Sequence, residues 1–546
     1  MTKIPLTRQV APVWSILLQI CILIVCFSAV LVHLPTPIQF ISDNDWGLQL
    51  AGANQILGGE HPFIDFPIYY GPLVPYVSAF GQIISQEQPL AELLIVFFGY
   101  CLAYLLLFNL FRHVSGDLFI SLLMLFLALL LIPRIYKYYI VLCPVLVLSG
   151  LFWYIKKPGF MQLLLLCFTV VVAGLYRQDH GAYSLLISSF VLILWPLDGC
   201  GRLMSVLKFW LVAMVFSLPW LLFLTLKGGF INYLLTSIFQ APKAILSIAH
   251  SSTLGTQGLW ATLTDFPSML FSIFQFLPAI GLLILFFQRK QFGVERRIQL
   301  VALFLFAQLC LIQGLHRQDY SHTLQAIPLT LVICCWVVAI AKASLNSPFL
   351  LKKYAGAMTL FVFVGMVVHC IQYNLFESKR FRDVKQMRQI VKDYKTFAQT
   401  REKFIASVAL QAPKSSQIRT LQYITDCTQP GEKIMAYVRQ TSLYYFSDRM
   451  FAGGIMSINP GFPMPEQESN VISQIRNQEP VLFIDQPKFN YGIGERGVFG
   501  NYSPELHHYL TENFVTVKKL GPRTISVNRQ RLDSLPQRCL APTKGK

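Results

Sequence analysis

The chain has 546 residues, of which 54% are hydrophobic and 13% are charged, and its formal net charge is +18. Runs of about 20 apolar residues recur along it, which excludes an ordinary soluble protein, because such runs are long enough to cross a bilayer. The positive charge favours contact with anionic lipid or phosphate, and we expect no nucleic-acid partner.

The apolar runs predict the membrane-spanning helices. The first run, Ala11–Leu34, is too long for a secretory signal and is interpreted as a retained span that follows a cytoplasmic N-terminus. Ten further runs are centred near residues 100, 125, 145, 167, 190, 215, 278, 306, 332 and 364, and none follows Asn374. The predicted fold class is a polytopic α-helical membrane protein of about 11 transmembrane helices (residues 1–374), with a C-terminal soluble α/β domain (residues 375–546).

Loop charge predicts the orientation. Fourteen lysines and arginines fall in loops on the N-terminal side of the membrane and six in the opposite loops, and the long loop Pro35–Pro89 has neither residue. Because positive residues concentrate on the cytoplasmic side, this loop is expected outside. An odd number of spans places the tail outside as well. We therefore expect a multi-pass protein of the bacterial cytoplasmic membrane with a periplasmic C-terminal domain.

The outer loop 35–89 begins with a predicted helix. The stretch SDNDWGLQLAGANQILGG offers Asp43 or Asn44 as an N-cap, an apolar stripe that includes Trp46, and Gly58 as a terminator. The next stretch, HPFIDFPIYYGPLVPY, contains four prolines and predicts irregular chain packed on protein.

Two nearly identical hexapeptides, GLYRQD and GLHRQD, close apolar runs after the fifth and ninth spans. Four spans separate them, so both are expected on the outer side, and their dissimilar flanks argue against a duplication. Ionisable groups at membrane depth are costly and are therefore candidates for function. The outer candidates are Asp43, Asp45, Arg134, Lys137, Arg177, Asp179, His180, Arg317, Asp319 and His322.

The tail alternates between strand and helix patterns. KIMAYV, SLYYF, PVLFID and FVTVKKL predict strands, and EQESNVISQIRNQ and SPELHHYLTENF predict helices. Cys427 and Cys539 are the two cysteines of the tail, and their spacing leaves open whether they pair.

Carboxylates and cations on one side of a membrane suit group transfer from a phosphate leaving group. A carboxylate would accept the proton of an acceptor hydroxyl, and arginine and lysine would bind the departing phosphate. A lipid-linked donor explains why this chemistry lies at a membrane surface.

The first outer loop resembles that of the GT-C membrane glycosyltransferases, the superfamily of protein O-mannosyltransferases and aminoarabinose transferases. The resemblance is carried by Asp43, by Gly58 after the predicted helix, by Asp65-Phe66 and by Tyr70-Gly71-Pro72. Asn44 stands where that family has a glutamate, so the resemblance leaves the catalytic base between Asp43 and Asp45.

The resemblance implies an inverting transfer of a sugar from a polyprenyl-phosphate donor to a lipid, glycan or protein acceptor. It implies substrate-binding roles for a further set of side chains: Asp65, Tyr70, Arg134, Lys137, Arg177, Asp179, His180, Arg317, Asp319 and His322. No cofactor is certain, although Asp43 and Asp45 could ligate a divalent cation, Mg²⁺ or Mn²⁺, as in some relatives.

Simpler interpretations stay open at this point. Asp43 and Asp45 could only cap a helix, each Arg-Gln-Asp copy could only be a helix-end ion pair, and Arg134 and Lys137 could reach for lipid headgroups. At the level of the protein, the alternatives are a transporter or flippase of a lipid-linked saccharide and a non-catalytic envelope scaffold.

Overall fold

The computed structural model describes residues 12–68, 70–195, 199–240, 266–314, 320–372, 392–437, 440–459, 467–487 and 494–540. Within them the chain is mostly helical, with a small sheet near the C-terminus, which confirms the predicted fold class.

A helix lies at each of the eleven predicted apolar runs. These helices are α1 (Pro12–His33), α5 (Leu90–Ser115), α6 (Leu118–Leu130), α7 (Tyr138–Lys156), α8 (Phe160–Tyr176), α9 (Gln178–Leu194), α10 (Gly199–Leu226), α12 (Phe266–Phe287), α13 (Val294–Gly314), α14 (Tyr320–Leu345) and α15 (Leu350–Gln372). Between them lie α2 (Pro37–Ser42), α3 (Asn44–Leu57), α4 (Leu73–Ser85) and α11 (Phe230–Leu235).

Among the described residues, 5 helical segments are both long and apolar enough to cross a membrane. They are Ile16–His33, Leu90–Ser115, Ile135–Lys156, Gly201–Leu226 and Ile327–Leu345. The protein is thus a multi-pass membrane protein, while eleven spans stay a prediction. The segment that includes α7 is the most enclosed, with 78% of its apolar window buried, against 17% for that of α10.

The first-loop helix forms where its capping residues predict. Asp43 is the N-cap of α3 and accepts a hydrogen bond from the backbone N–H of Trp46, and Gly58 is the C-cap. The helix α4 begins at Leu73, so the last residues of the proline-rich stretch are helical rather than irregular. Pro72 stands at its N-cap, and proline is tolerated where the first backbone N–H groups have no partner within the helix.

The chain forms two compact units. The first takes its residues from Met1–Leu34, Val96–Pro219 and Thr253–Arg388, and the second from Pro35–Ile95, Trp220–Ser252 and Gln389–Lys546. We call the second the loop–tail unit, because it joins the first outer loop with the C-terminal tail. This grouping crosses the membrane spans in sequence, and therefore only tertiary contacts create it.

In its described residues the tail contains five strands and several helices. The strands are β1 (Lys433–Ala436), β2 (Met450–Phe451), β3 (Leu482–Asp485), β4 (Phe514–Leu520) and β5 (Arg523–Asn528). The helices are a segment at residues 392–397, α16 (Arg401–Gln411), α17 (Ser416–Cys427), α18 (Ser442–Ser447), α19 (Glu468–Gln478), α20 (Phe499–Tyr502), α21 (Pro504–Asn513) and α22 (Gln537–Leu540). The sheet order is β2-β1-β3-β5-β4, parallel from β2 to β3 and antiparallel beyond.

Two tail predictions need correction. The stretch SLYYF is helix α18 and not a strand, and neither β2 nor β5 was predicted. All six residues of α18 are buried, so its continuous apolar run cannot distinguish a buried helix from a buried strand.

Cys427 and Cys539 form a disulfide bond, with their Cα atoms 5.8 Å apart. The bond joins the end of α17 to α22 and closes the chain onto itself after a sequence separation of 112 residues. The pairing that the sequence left open is therefore made.

Candidate active site

Asp43 lies at the junction of α2 and α3, where it ends one helix and begins the next. Its Oδ1 atom accepts the backbone N–H of Trp46 at 2.9 Å. Asp45 follows in the first turn of α3, and both carboxylates are partly exposed. The N-terminus of a helix stabilises negative charge, so the site suits carboxylates. The capping role of Asp43 is confirmed, while catalysis by either acid stays a prediction.

A buried acid lies behind these residues, and the sequence analysis missed its role. Glu92, at the start of α5, is 2% exposed, and its Oε2 atom accepts the indole N–H of Trp46 at 3.4 Å. Ser78 donates a hydrogen bond to the other carboxylate oxygen. Trp46 therefore binds Asp43 through its backbone and Glu92 through its side chain. The available signal was an acid within the first turn of an apolar helix.

The helix α3 is fixed to the tail by direct backbone recognition. Gln55 donates to the carbonyl of Phe451 at 3.2 Å and accepts the backbone N–H of the same residue at 3.2 Å. Near the start of the helix, a Cβ atom at Gly47 would lie 2.4 Å from the backbone nitrogen of Ser442, so only glycine permits this approach. These contacts set the orientation of the helix that carries Asp43 and Asp45.

Asp65 and Tyr70 belong to the same unit. Asp65 is exposed, and its Oδ2 atom accepts the backbone N–H of His61 at 2.7 Å, which closes a tight turn. The hydroxyl of Tyr76 lies 2.9 Å from Nδ1 of that histidine. Burial, and then the charge of Asp65, raise the pKa of Tyr76 to about 12. Tyr70 is half-buried.

Arg134 and Lys137 lie at the entrance to α7, on the 3-10 turn Ile135–Lys137. Nη1 of Arg134 donates to the hydroxyl of Tyr136 at 3.1 Å, and the Arg134 carbonyl accepts the hydroxyl of Tyr100 at 3.2 Å. Lys137 is 4% exposed, with Nζ 5.7 Å from the centre of the Tyr136 ring. Because Lys137 is buried at the start of the most enclosed membrane-spanning segment, it does not fit the interpretation that its side chain reaches for lipid headgroups.

The first Arg-Gln-Asp copy forms the joint between α8 and α9. Arg177 binds Asp179 through two parallel hydrogen bonds, from Nε at 2.9 Å and from Nη2 at 2.7 Å. Asp179 also accepts the backbone N–H of His180, whose side chain is 1% exposed. A Cβ atom at Gly181 would lie 2.5 Å from the Cα of Gly174, so this glycine pair lets the two helices meet closely. The fork fixes the plane of the guanidinium.

The structure brings these two basic segments together. The hydroxyl of Tyr138, at the start of α7, donates to that of Tyr176, at the end of α8, at 3.1 Å. The rings of Tyr139 and Tyr176 stack with their centres 5.7 Å apart. We call the set Arg134, Lys137 and Arg177 the basic end of α7 and α8. The hydroxyls and the cations lie at the same end of this helix pair.

The second Arg-Gln-Asp copy lies outside the described residues. Arg317 and Asp319 fall in the gap 315–319, and the side chain of His322 is likewise not described. The helix α13, which precedes this copy, packs against α9. Near its end, Cys310 is within electrostatic range of Asp179 and Arg177.

A divalent cation finds little support in the part of the chain that is described. There, no group of three or more His, Cys, Asp or Glu side chains could hold a metal ion. One oxygen of Asp43 accepts the cap hydrogen bond of α3, and Mg²⁺ usually binds through one or two carboxylates and several waters. A divalent cation at Asp43 and Asp45 therefore stays a prediction, and we assign no step to a metal.

The sequence matches no protein-family model, and no curated protein matches it. Among solved structures the chain is similar to ArnT. The apo crystal structure of ArnT from Cupriavidus metallidurans shares 13% identity with a TM-score of 0.46, and the structure bound to undecaprenyl phosphate shares 14% with a TM-score of 0.48. Each comparison covers 95% of this chain and 98% of the other.

Proposed function

We propose that this chain is a glycosyltransferase of the bacterial cytoplasmic membrane that uses a polyprenyl-phosphate sugar. It would transfer one hexosyl or pentosyl unit to a lipid, glycan or protein acceptor on the outer face. The observation that carries the proposal is the basic end of α7 and α8, where three cations lie at one end of two neighbouring apolar helices.

The basic end suits a lipid phosphate for two reasons. Arginine presents a planar fork that matches phosphate oxygens, and lysine acts as a compact point charge. The carboxylate of Asp179 holds the Arg177 guanidinium through Nε and Nη2, so the plane of this cation is set before a phosphate arrives. Apolar helices beside the cations would accommodate a polyprenyl chain.

The acids of α3 supply the proton acceptor in this proposal. Asp43 or Asp45 takes the proton of an acceptor hydroxyl while its oxygen attacks the anomeric carbon of the sugar. The bond between that carbon and the phosphate oxygen breaks, and its electron pair leaves with the polyprenyl phosphate. A single displacement of this kind inverts the anomeric configuration. The cations stabilise the negative charge that develops on the departing phosphate.

The disulfide between Cys427 and Cys539 supports the outer location of the tail, residues 375–546 in the proposed domain division. Disulfides form and persist in oxidising compartments such as the bacterial periplasm. The distribution of loop charge gives the same orientation.

The test is transfer by the purified full-length chain in nanodiscs, with a panel of polyprenyl-phosphate sugars and mass spectrometry of the product. Asparagine caps helices as well as aspartate does, so Asp43→Asn and Asp45→Asn remove a base while they keep α3 intact. We expect at least one of them to lose about 100-fold in kcat, the lower range for general base catalysis. Full transfer by both variants would contradict the proposed mechanism.

Asp117→Asn is the matched control. Asp117 is also an N-cap, since its Oδ1 accepts the backbone N–H of Ile120 at 3.0 Å at the start of α6. It lies on the predicted inner side, so we expect transfer within about twofold of the parent. A similar loss in this variant would attribute the effect of Asp43→Asn to the helix cap rather than to proton transfer.

The basic end has its own test in donor binding. We expect Lys137→Met and Arg177→Gln to weaken binding of the polyprenyl-phosphate sugar about tenfold or more, in line with charge-assisted hydrogen bonds. If Arg177→Gln left donor affinity untouched, the pair would be only a helix-end ion pair. Binding without turnover, with movement of the lipid across vesicles, would favour the transporter alternative.

A further inference from the structure

A cleft in the loop–tail unit is lined by residues other than those that the proposed mechanism uses. Its volume is about 150 Å³. Three segments distant in sequence line it: the turn of the first loop that holds Asp65, the stretch after α10 with Asn232, and the tail with Asn470 and Gln474. We call it the amide cleft.

The volume suits a single six-membered ring. A cavity of roughly 150 Å³ is large enough to take up benzene in an engineered protein. Here the wall is polar rather than apolar, so a ring with hydroxyl groups fits its chemistry better than a hydrocarbon.

The composition of the wall points to the class of ligand. The polar side chains that line the cleft are Asp65, Asn232, Thr236, Gln467, Asn470 and Gln474. Amides both donate and accept, and a carboxylate accepts, which matches the hydroxyl groups of a sugar. Among the described residues, no lysine or arginine lines the cleft, so a phosphate would meet a carboxylate there without a cation to bind it.

The cleft is built from closely fitted backbone. Phe63 adopts a φ of 66° on the turn that holds Asp65, and left-handed backbone in a bulky residue persists only where surrounding contacts impose it. Gly454 on the opposite wall has a φ of 64°, and a Cβ atom there would lie 3.0 Å from the carbonyl oxygen of Asp65. A residue with a Cβ atom at position 454 would therefore be both strained and crowded, so glycine suits this side of the cleft.

We propose that the amide cleft binds an uncharged saccharide unit and that this unit belongs to the acceptor. The second part rests on the proposed transferase function, which assigns the donor phosphate to the basic end of α7 and α8. The cleft would then hold a sugar of the acceptor glycan or glycolipid while another hydroxyl of that acceptor reacts.

The binding test uses saturation-transfer NMR on the full-length chain in nanodiscs. The probes are glucose, galactose, mannose and N-acetylglucosamine, with inorganic phosphate as a competitor. We expect at least one sugar to bind, phosphate not to displace it, and Asp65→Asn combined with Gln474→Ala to lower its affinity tenfold or more. The absence of binding by every probe, or equal binding by this variant, would overturn the proposal.

Two asparagines about two turns apart on α19 give a matched control. Asn470 lines the cleft, whereas Asn477 is an exposed amide on the same helix outside it. Asn470→Ala should weaken sugar binding severalfold, and Asn477→Ala should not change it. Equal effects would show that the helix as a whole matters and not the cleft.

Kinetics separate the acceptor from the donor and this inference from the proposed function. Asn470→Ala should raise the KM for the acceptor severalfold and leave kcat and the KM for the donor near the parent values. A rise in the donor KM instead would assign the cleft to the donor sugar and overturn the acceptor role. If Asp43→Asn and Asp45→Asn kept full transfer while the sugar still bound, the proposed mechanism would fail and the cleft would stand.

Discussion

Arg401 should be one of the strongest single links between the first loop and the tail. Its side chain is 7% exposed, and Nη1 donates to Oδ1 of Asn54 at 3.1 Å and to the carbonyl of Tyr445 at 3.0 Å. Nη2 lies 2.8 Å from Glu87 and 2.6 Å from Asp448. One guanidinium thus joins α3, the end of α4 and α18, all within the loop–tail unit.

The expected cost of Arg401→Met follows from the burial of each partner. Asn54 is buried, and a buried acceptor left without its donor costs about 1–3 kcal/mol. The Tyr445 carbonyl keeps the backbone N–H of Asp448 as a donor, so losing the bond from Arg401 costs about 1 kcal/mol there. The carboxylates of Glu87 and Asp448 are 52% and 45% exposed, so water replaces most of what they lose, and each contributes about 0–1 kcal/mol. We expect a loss of about 3 kcal/mol in local stability, or roughly a hundredfold in the opening equilibrium.

Hydrogen exchange of the full-length chain in nanodiscs, read by mass spectrometry, measures this loss at the amides of α3 and α18. Glu87→Gln should cost under about 1 kcal/mol, since that partner is half exposed. Arg419→Met, at an exposed arginine on α17, is the matched surface control. If Arg401→Met changed exchange in α3 by no more than Arg419→Met, the reasoning from buried acceptors would be refuted.

The remaining predictions concern the tail and its contact with α3. Replacing Cys427 and Cys539 with serine should lower the free energy of unfolding of the tail by up to about 4–5 kcal/mol, because the disulfide closes a loop of about 100 residues. An unchanged melting curve would contradict this. Burial raises the pKa of Asp485 to about 6, so the folded state favours the protonated carboxyl. The stability that this proton contributes is present below about pH 4 and is lost as the pH rises through about 6. Asp485→Asn should flatten that part of the curve of unfolding free energy against pH. Gly47→Ala should cost about 1–3 kcal/mol, because its Cβ would overlap the Ser442 backbone; exchange in α3 equal to the parent would show that the contact relaxes.

Local chemistry made much of the fold predictable. The apolar runs give helices because a backbone in lipid must satisfy its own hydrogen bonds. Asp43 and Gly58 bound α3 as their capping chemistry predicts. The pairing of Arg177 with Asp179 needs only two residues of separation at a helix start, so it too could be read from the sequence.

The candidate site was less accessible to this reasoning. The sequence predicted that these residues lie on one side of the membrane. It did not predict which of them contact each other. The link between the basic segments runs through the hydroxyls of Tyr138 and Tyr176, which are 38 residues apart. Likewise, Glu92 looked like an isolated acid until Trp46 was found to donate to it. Such contacts depend on the register between helices, which no single segment encodes.

The sequence by itself determined the two ends of α3, the apolar runs at which helices form and the residue types available for phosphate chemistry. Tertiary structure alone decided that the first outer loop and the tail form one unit, that SLYYF is a helix, and that Asp65 faces a cleft with Gln474. The physical reason is the sequence separation over which each interaction acts. Capping and hydrophobic runs act over a few residues, whereas buried hydrogen bonds such as those of Arg401 join groups more than 300 residues apart and exist only once the chain has packed.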